Sequence, residues 1–258
     1  MTDDNRPLIL VSNDDGITAP GIQATVDVMK KLGKVVVVAP DSPQSGMGHA
    51  ITINKPLRLV KNNQFGEEVE SYQCSGTPVD CVKLAVDKVM HKQPDLLVSG
   101  ANHGSNSSIN VIYSGTMSAA MEGAISGITS IGFSLLDFSW AADFAATKIY
   151  MEKIAKNVIQ NGLPSDTLLS VNIPNIPLEE IKGVKVCRQA KAKWVEEFDQ
   201  RRDPYGRDYY WLTGEFTNFD KGQDTDEWAL ANGYVSMVPV QFDLTAHHAI
   251  PALNSWDL

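Results

Sequence analysis

The feature that most constrains this chain is the run Leu8-Ile9-Leu10-Val11-Ser12, which passes directly into Asn13-Asp14-Asp15-Gly16. A short, continuous apolar run that stops at an amide, two acids and a glycine reads as a strand buried on both faces. Such strands belong to parallel sheets covered by helices, and open α/β sheets bind ligands beyond the carboxyl ends of their strands. Two carboxylates about 4 Å apart repel by about 1 kcal/mol in water and about 4 kcal/mol near a protein surface. A cation removes that cost and becomes the dominant local charge. All-oxygen ligands favour Mg²⁺, Mn²⁺ or Ca²⁺ over softer metals. Asn-Asp-Asp-Gly has the composition of a plain turn as well; its position at a strand end favours the metal seat.

The segments that follow repeat this alternation. Pro20 to Leu32 reads as a helix with Ile22, Val26 and Met29 on one face, and Lys34 to Ala39 as a second buried strand. Strand, helix and strand imply a right-handed parallel crossover. A loop from Pro40 to Gly48 leads into hairpin material between Ile51 and Cys74. Thr77-Pro78-Val79-Asp80 is a helix start, with a Thr cap, Pro at the first position and an acid three residues after the cap. That helix is expected to run to about Met90. A strand over Asp95–Ser99, a polar loop through Asn110, a helix from Ser114 to Gly127, a strand over Ser130–Leu135 and a helix from Ala141 to Gln160 follow. The fold class is therefore α/β, a doubly wound, mostly parallel sheet.

The 258 residues read as a single domain. Residues 1–135 form the core that carries the site, and residues 136–258 form a C-terminal part that completes the site or builds an oligomer. In that part Leu168–Ile173, Gly183–Cys187 and Gly233–Val240 have strand character, whereas Trp194 to Asp226 is polar and aromatic without periodicity.

A net charge of −9 argues against stable nucleic-acid binding, which needs a basic footprint. The longest apolar runs fall far short of a membrane span. Met1 to Arg6 lacks the pattern of a secretory signal. Cys74, Cys81 and Cys187 form neither a disulfide framework nor a C-x-x-C pair, so a reducing cytoplasm is expected. A small phosphorylated substrate remains compatible with the acidic balance, because a bound cation reverses the local sign.

Three further loops suit the same site. Asp41 to His49 holds small residues whose backbone N–H groups can approach an anion closely. Ser99 to Asn106 offers Asn102 as a neutral oxygen ligand and His103 as a candidate acid or base. Tyr113-Ser114-Gly115-Thr116 opens a helix, and helix N-termini receive phosphate through free N–H groups. Each has a plainer reading as connector, surface loop or Ser-capped core helix. Their coincidence on one α/β sheet favours a shared phosphate–metal site.

These residues also carry a resemblance. The chain resembles the survival protein SurE family of nucleotidases through Ser12–Gly16 with Ala19-Pro20-Gly21-Ile22, and through Val38-Ala39-Pro40-Asp41 leading to Ser45-Gly46. It continues in Ser75-Gly76-Thr77-Pro78-Val79-Asp80-Cys81, Ser99–Asn106 and Tyr113-Ser114-Gly115-Thr116, then in Thr225-Asp226 and Gly233-Tyr234-Val235-Ser236. The order and spacing of these motifs are specific to the family. The resemblance implies a Rossmann-like core and hydrolysis of nucleoside 5′- and 3′-monophosphates, with short polyphosphate as a further substrate. It implies one divalent cation per subunit, Mg²⁺ or Mn²⁺, held by Asp14, Asp15, Ser45 and Asn102. Asp14 and Asp15 would be the catalytic carboxylates. Phosphate contacts would fall on Gly46, Asn106, Ser114, Gly115 and Thr116. Elements of the C-terminal part would be exchanged between subunits, giving a homodimer or homotetramer. Gln44 stands where the family usually has Arg, and Gly48 where it commonly has a second Ser.

Two other readings compete. In an aspartyl-phosphate phosphatase the first Asp is a covalent nucleophile, but the second acid usually lies two residues later, where this chain has Gly16. A phosphorylated-ligand binding module without turnover would also carry an acidic pair at a strand end.

Overall fold

The computed structural model describes residues 6–257. The segment Met1–Asn5, most of the stretch read as lacking a secretory signal, lies outside the described residues. The first strand is β1 (Leu8–Ser12), and every one of its residues is buried. It is followed by α1 (Pro20–Leu32), β2 (Lys34–Pro40), β3 (Leu59–Asn62), β4 (Glu70–Cys74) and α2 (Pro78–Leu84). Next come β5 (Leu96–His103), α3 (Asn110–Tyr113), α4 (Gly115–Ile125), β6 (Ser130–Leu135) and α5 (Ala145–Asn161). The chain closes through β7 (Thr167–Ile173), β8 (Val184–Val186), β9 (Ala192–Arg202), β10 (Asp208–Asn218), α6 (Asp226–Ala231) and β11 (Val235–Gln241).

Among the described residues, nine strands form one sheet in the order β3-β4-β2-β1-β5-β6-β7-β11-β8. The six strands from β4 to β7 in that order are all parallel. Antiparallel pairing enters through β3 against β4 and β11 against β7. The α/β, mostly parallel architecture expected from the sequence is what the chain adopts. Period-two alternation splits its apolar side chains between two faces. Ile9, Val11, Val35, Val37, Leu96 and Val98 pack with α1 (Ile22, Val26, Met29) and α5 (Met151, Ile154). Leu8, Leu10, Val36, Val38 and Leu97 pack with α2 (Cys81, Val82) and α4 (Met117, Ala119, Ala120). Burying a Val, Leu or Ile side chain is worth about 1.5–3 kcal/mol, so both faces hold the sheet.

Departures from the sequence reading have local causes. The second helix starts where expected, with Thr77 and Asp80 forming a complete capping box, but becomes a π turn over Ala85–Val89. The hairpin is shorter than expected, with β3 and β4 occupying only its later part. Helix α5 begins at Ala145, because the Asp143 carboxylate captures the Ala145 N–H at 2.8 Å and ends the preceding turn. The strand expected to stop at Ser99 continues to His103, held by pairing of Asn102 with Ser134 and His103 with Leu135 after a register shift. The stretch from Trp194 to Asp226, read as aperiodic, holds most of β9 and all of β10, paired without a break from Ala192↔Asn218 to Arg202↔Asp208. Nearly every residue of this ribbon is exposed, so burial never imposed alternation on it.

Candidate functional site

From β1 the chain moves outward through β2 to β4, then returns to place β5 on the other side of β1 and moves outward through β6 to β7. The strand order therefore reverses between β1 and β5, and the crevice beyond their carboxyl ends is the topological switch point where such folds bind ligands. Asn13-Asp14-Asp15 leaves β1 at that point, and Asn102 and His103 end β5. The loop after β2 is tied to the same place, since the Gln44 N–H donates to the Asp14 carbonyl at 2.7 Å. Its far end is held on the α3–α4 junction by the Gly48 N–H donating to the Tyr113 carbonyl at 3.1 Å.

Asp14 is buried at 4% exposure. Its carboxylate accepts a hydrogen bond from the Thr116 hydroxyl. Burial pushes its carboxyl above the usual range, against that hydrogen bond and the backbone N–H groups of Gly115 and Thr116. Thr116 Oγ1 also lies 3.4 Å from Asn102 Oδ1, so Asp14, Thr116 and Asn102 form one cluster. The Asn102 amide donates from Nδ2 to the Gly104 carbonyl at 2.8 Å, which fixes the orientation of its Oδ1.

Asp15 receives the His103 N–H at 3.1 Å. Burial, reinforced by the neighbouring Asp14 charge, raises it to about 6 from 3.8. Among the described residues, neither acid has an ion-pair partner. A group whose folded pKa exceeds its unfolded value makes the folded state bind the extra proton. Asp15 thus favours folding fully below pH of about 4, and that contribution is lost as pH rises through about 6. Thermal denaturation of the protein in chelator, followed from pH 4.5 to 7.5, is expected to show Tm falling with pH and a flatter profile for Asp15→Asn. Identical profiles would mean that Asp15 carries no such strain.

A cavity of about 500 Å³ opens over this cluster. Of the residues singled out in the sequence, Asp14, Ser45, Gly46, Asn102, Asn106 and Ser114 line it, as does His103. Asp15, Gly115 and Thr116 do not. Asp15 faces the His103 backbone, and Gly115 and Thr116 close on Asp14 from behind. Ser114 caps α4 by accepting the Met117 N–H at 3.0 Å, and Asn106 is held by donating from Nδ2 to Ser134 Oγ at 2.8 Å. The His103 ring donates from Nδ1 to the Ser139 carbonyl at 2.8 Å, because a carbonyl can only accept; its Nε2 is buried without a partner. The ring stacks on Trp140 with centroids 5.6 Å apart.

The donor set suits a hard cation. Among the described residues no three His, Cys, Asp or Glu side chains come together, so a cation here would have to use neutral oxygen ligands as well. The Asp14 and Asp15 carboxyls and the Asn102 amide oxygen, with the Ser45 hydroxyl lining the same cavity, are of the kinds that Mg²⁺ and Mn²⁺ accept. No Lys or Arg lines the cavity among the described residues.

Sequence reasoning missed part of the lining, Trp194 from β9, Phe216 from β10 and Glu227 from α6. The only signal for the first two was the aromatic content of a stretch without periodicity. Glu227 sits beside Thr225-Asp226, a pair noted only as a signature. Asp226 proves to be a buried clamp: its oxygens accept the Ser108 N–H at 2.7 Å and the Ala190 N–H at 2.9 Å, fastening the C-terminal part to the β5–α3 loop.

Residues 9–196 match the family described as Survival protein SurE. The chain is 66% identical over 254 residues to 5′-nucleotidase SurE of Flavobacterium psychrophilum, covering 98% of this chain and 99% of that protein. It is 57% identical to 5′-nucleotidase SurE of Cytophaga hutchinsonii, covering 97% and 96% of the two. The crystal structure of the SurE protein from Aquifex aeolicus superposes with a TM-score of 0.83 at 42% identity, over 96% of this chain and 98% of that one. With the acidic strand end, the cap of α4 and the β5 ligand loop all in place, the chain belongs to the SurE family.

Proposed function

We propose that this protein is a metal-dependent phosphomonoesterase that hydrolyses nucleoside 5′-monophosphates, and their 3′ isomers, to nucleoside and phosphate. The observation that carries this reading is a cavity at the sheet's switch point, walled by a buried, unpaired carboxylate and by no Lys or Arg. An anionic substrate enters such a cavity only with a cation. The nucleotidase names of the relatives support the choice of substrate.

Asp14, Asp15, Ser45 and Asn102 would hold one divalent cation per subunit, Mg²⁺ or Mn²⁺. When bound, that ion supplies positive charge to the phosphoryl oxygens and makes a nearby water more acidic. Phosphate monoesters hydrolyse so slowly unaided that most of the barrier must be lowered electrostatically. The Gly46 backbone, Asn106 and Ser114 would position the non-bridging oxygens from the cavity wall. Thr116, through its hydroxyl on Asp14, and Gly115, through its close approach, would hold the carboxylate in one orientation rather than touch phosphate. Gln44 supplies its backbone N–H to the β1 end, so the loop is anchored without the arginine usual in the family.

No helix among the described residues is long and apolar enough to cross a membrane. The three buried free cysteines support work in a reducing cytoplasm. The exposed ribbon of β9 and β10, bearing Phe198, Tyr210, Trp211 and Leu212, supports assembly into a homodimer or homotetramer.

Phosphate release from nucleoside monophosphates, measured after chelation and again with Mg²⁺ or Mn²⁺ added, tests the reading. Turnover is expected only with metal. Folded protein that binds nucleotide but releases no phosphate with any metal would replace this reading with that of a binding module.

A further inference from the structure

The cavity is much larger than a phosphate group needs, and besides Asp14, Ser45 and Asn102 its wall carries Trp194, Phe216 and Glu227, a set of different chemistry. Trp194 and Phe216 are directly paired across β9 and β10, with ring centroids 5.6 Å apart and planes inclined by 60°. The indole is not free to swing, because Trp194 Nε1 donates to Asn110 Oδ1 at 2.8 Å. Trp194 nevertheless remains 42% exposed, so a flat partner can reach the pair. Glu227, in the first turn of α6, accepts the Ser107 hydroxyl on one carboxylate oxygen, and the other oxygen is left to accept from something else.

We propose that this part of the wall is a nucleoside subsite, in which Trp194 and Phe216 take the nucleobase and the Glu227 carboxylate accepts hydrogen bonds from ribose hydroxyls. The inference rests on the nucleotidase reading and deepens it. Charge sets the polarity of binding. A carboxylate repels phosphate, so the phosphoryl group is driven toward the metal end, and Glu227 is left to the neutral donors of the substrate. Carboxylates read ribose hydroxyls in the same way at the switch points of dinucleotide-binding sheets. Aromatic rings stack on any base, which gives affinity without strong base preference. The volume of about 500 Å³ lies within the range of small-ligand sites. Ser107, which orients Glu227, lies next to Ser108 on the Asp226 clamp, so the hydroxyl-reading group is positioned by the contact that joins the C-terminal part to the core.

Steady-state kinetics on the full chain with Mg²⁺ or Mn²⁺ test this with AMP, dAMP and ribose 5-phosphate. Trp194→Ala is expected to raise KM for AMP about tenfold, the scale of one lost base stack, and to leave ribose 5-phosphate unchanged. Trp194→Phe is expected to recover most of that loss. Glu227→Gln, which can still accept the Ser107 hydroxyl, is expected to lower kcat/KM for AMP and ribose 5-phosphate about tenfold and for dAMP less. Equal losses on all three substrates, or no loss on AMP in either alanine or glutamine variant, would overturn the subsite. If the wild-type chain turns over no substrate, the nucleotidase reading fails separately. Equilibrium dialysis of adenosine then decides: binding weakened about tenfold by Trp194→Ala upholds the subsite, and no binding or unchanged binding removes it.

Discussion

Asp14→Asn is expected to lower kcat/KM for nucleoside monophosphates by about three orders of magnitude or more, with the protein still folded. The substitution keeps the shape of the side chain and an oxygen for the Thr116 hydroxyl, so the cluster with Thr116 and Asn102 need not rearrange. It removes the charge and turns one of the two acceptor oxygens into an amide donor. Burial disfavours that charge and raises the Asp14 carboxyl, so losing the charge itself is expected not to destabilise the metal-free variant. Loss of activity without loss of stability separates a functional carboxylate from a structural one. Differential scanning calorimetry supplies the check. Ligand at a hundred times its Kd stabilises by about 2.7 kcal/mol, which for a chain of this size raises Tm by about 5–10 °C. The wild type should show that rise with Mg²⁺ or Mn²⁺, and Asp14→Asn should not. Full activity in the variant would remove Asp14 from the site.

The reason Asp14 is a buried acid is visible in the sequence only in part. Leu8–Ser12 had to be a strand covered on both faces, and the acids that follow had to emerge at its carboxyl end. From these, the site's location followed. What could not be read was depth. Asp14 lines the cavity while Asp15, one residue later, turns toward the His103 backbone. Which of the two acids reaches the cavity wall and which is tied to backbone depends on how the end of β5 packs against them, and the sequence does not carry that contact. The same limit applies to Asn102. Its residue type suggested a neutral ligand, but its place at the end of β5, beyond a register shift, depends on pairing with Ser134 of β6. Trp194 and Phe216 were illegible for another reason. They meet only because a solvent-exposed ribbon folds their strands together, and an exposed ribbon leaves no burial pattern.

Gly115→Ala is expected to be the most damaging single methyl group in the site. A Cβ at this position would lie 2.6 Å from Asp14 Cβ and 2.9 Å from its Oδ2, closer than such atoms approach. Helix α4 starts here, capped by Ser114, and the missing side chain is what lets its first turn press against the carboxylate. Adding one methyl must push the helix start away or turn Asp14 aside. Overpacking of this kind costs about 1–3 kcal/mol. Displacement of a catalytic group by about 1 Å costs about a hundredfold in rate, so kcat/KM should fall by that factor and the metal-induced rise in Tm should shrink with it. Gly127→Ala is the control, just beyond the other end of the same helix. There the backbone at φ +74° strains any side chain, and the new Cβ would meet only the Gln93 amide at 3.4 Å. Strain of that conformation costs about 1–2 kcal/mol, similar to the first variant, yet nothing in the site moves. If both variants lose stability and only Gly115→Ala loses activity, the contact between α4 and Asp14 is what holds the carboxylate in register. If both lose activity equally, general weakening of the fold accounts for the effect, and Gly115 has no part in positioning Asp14.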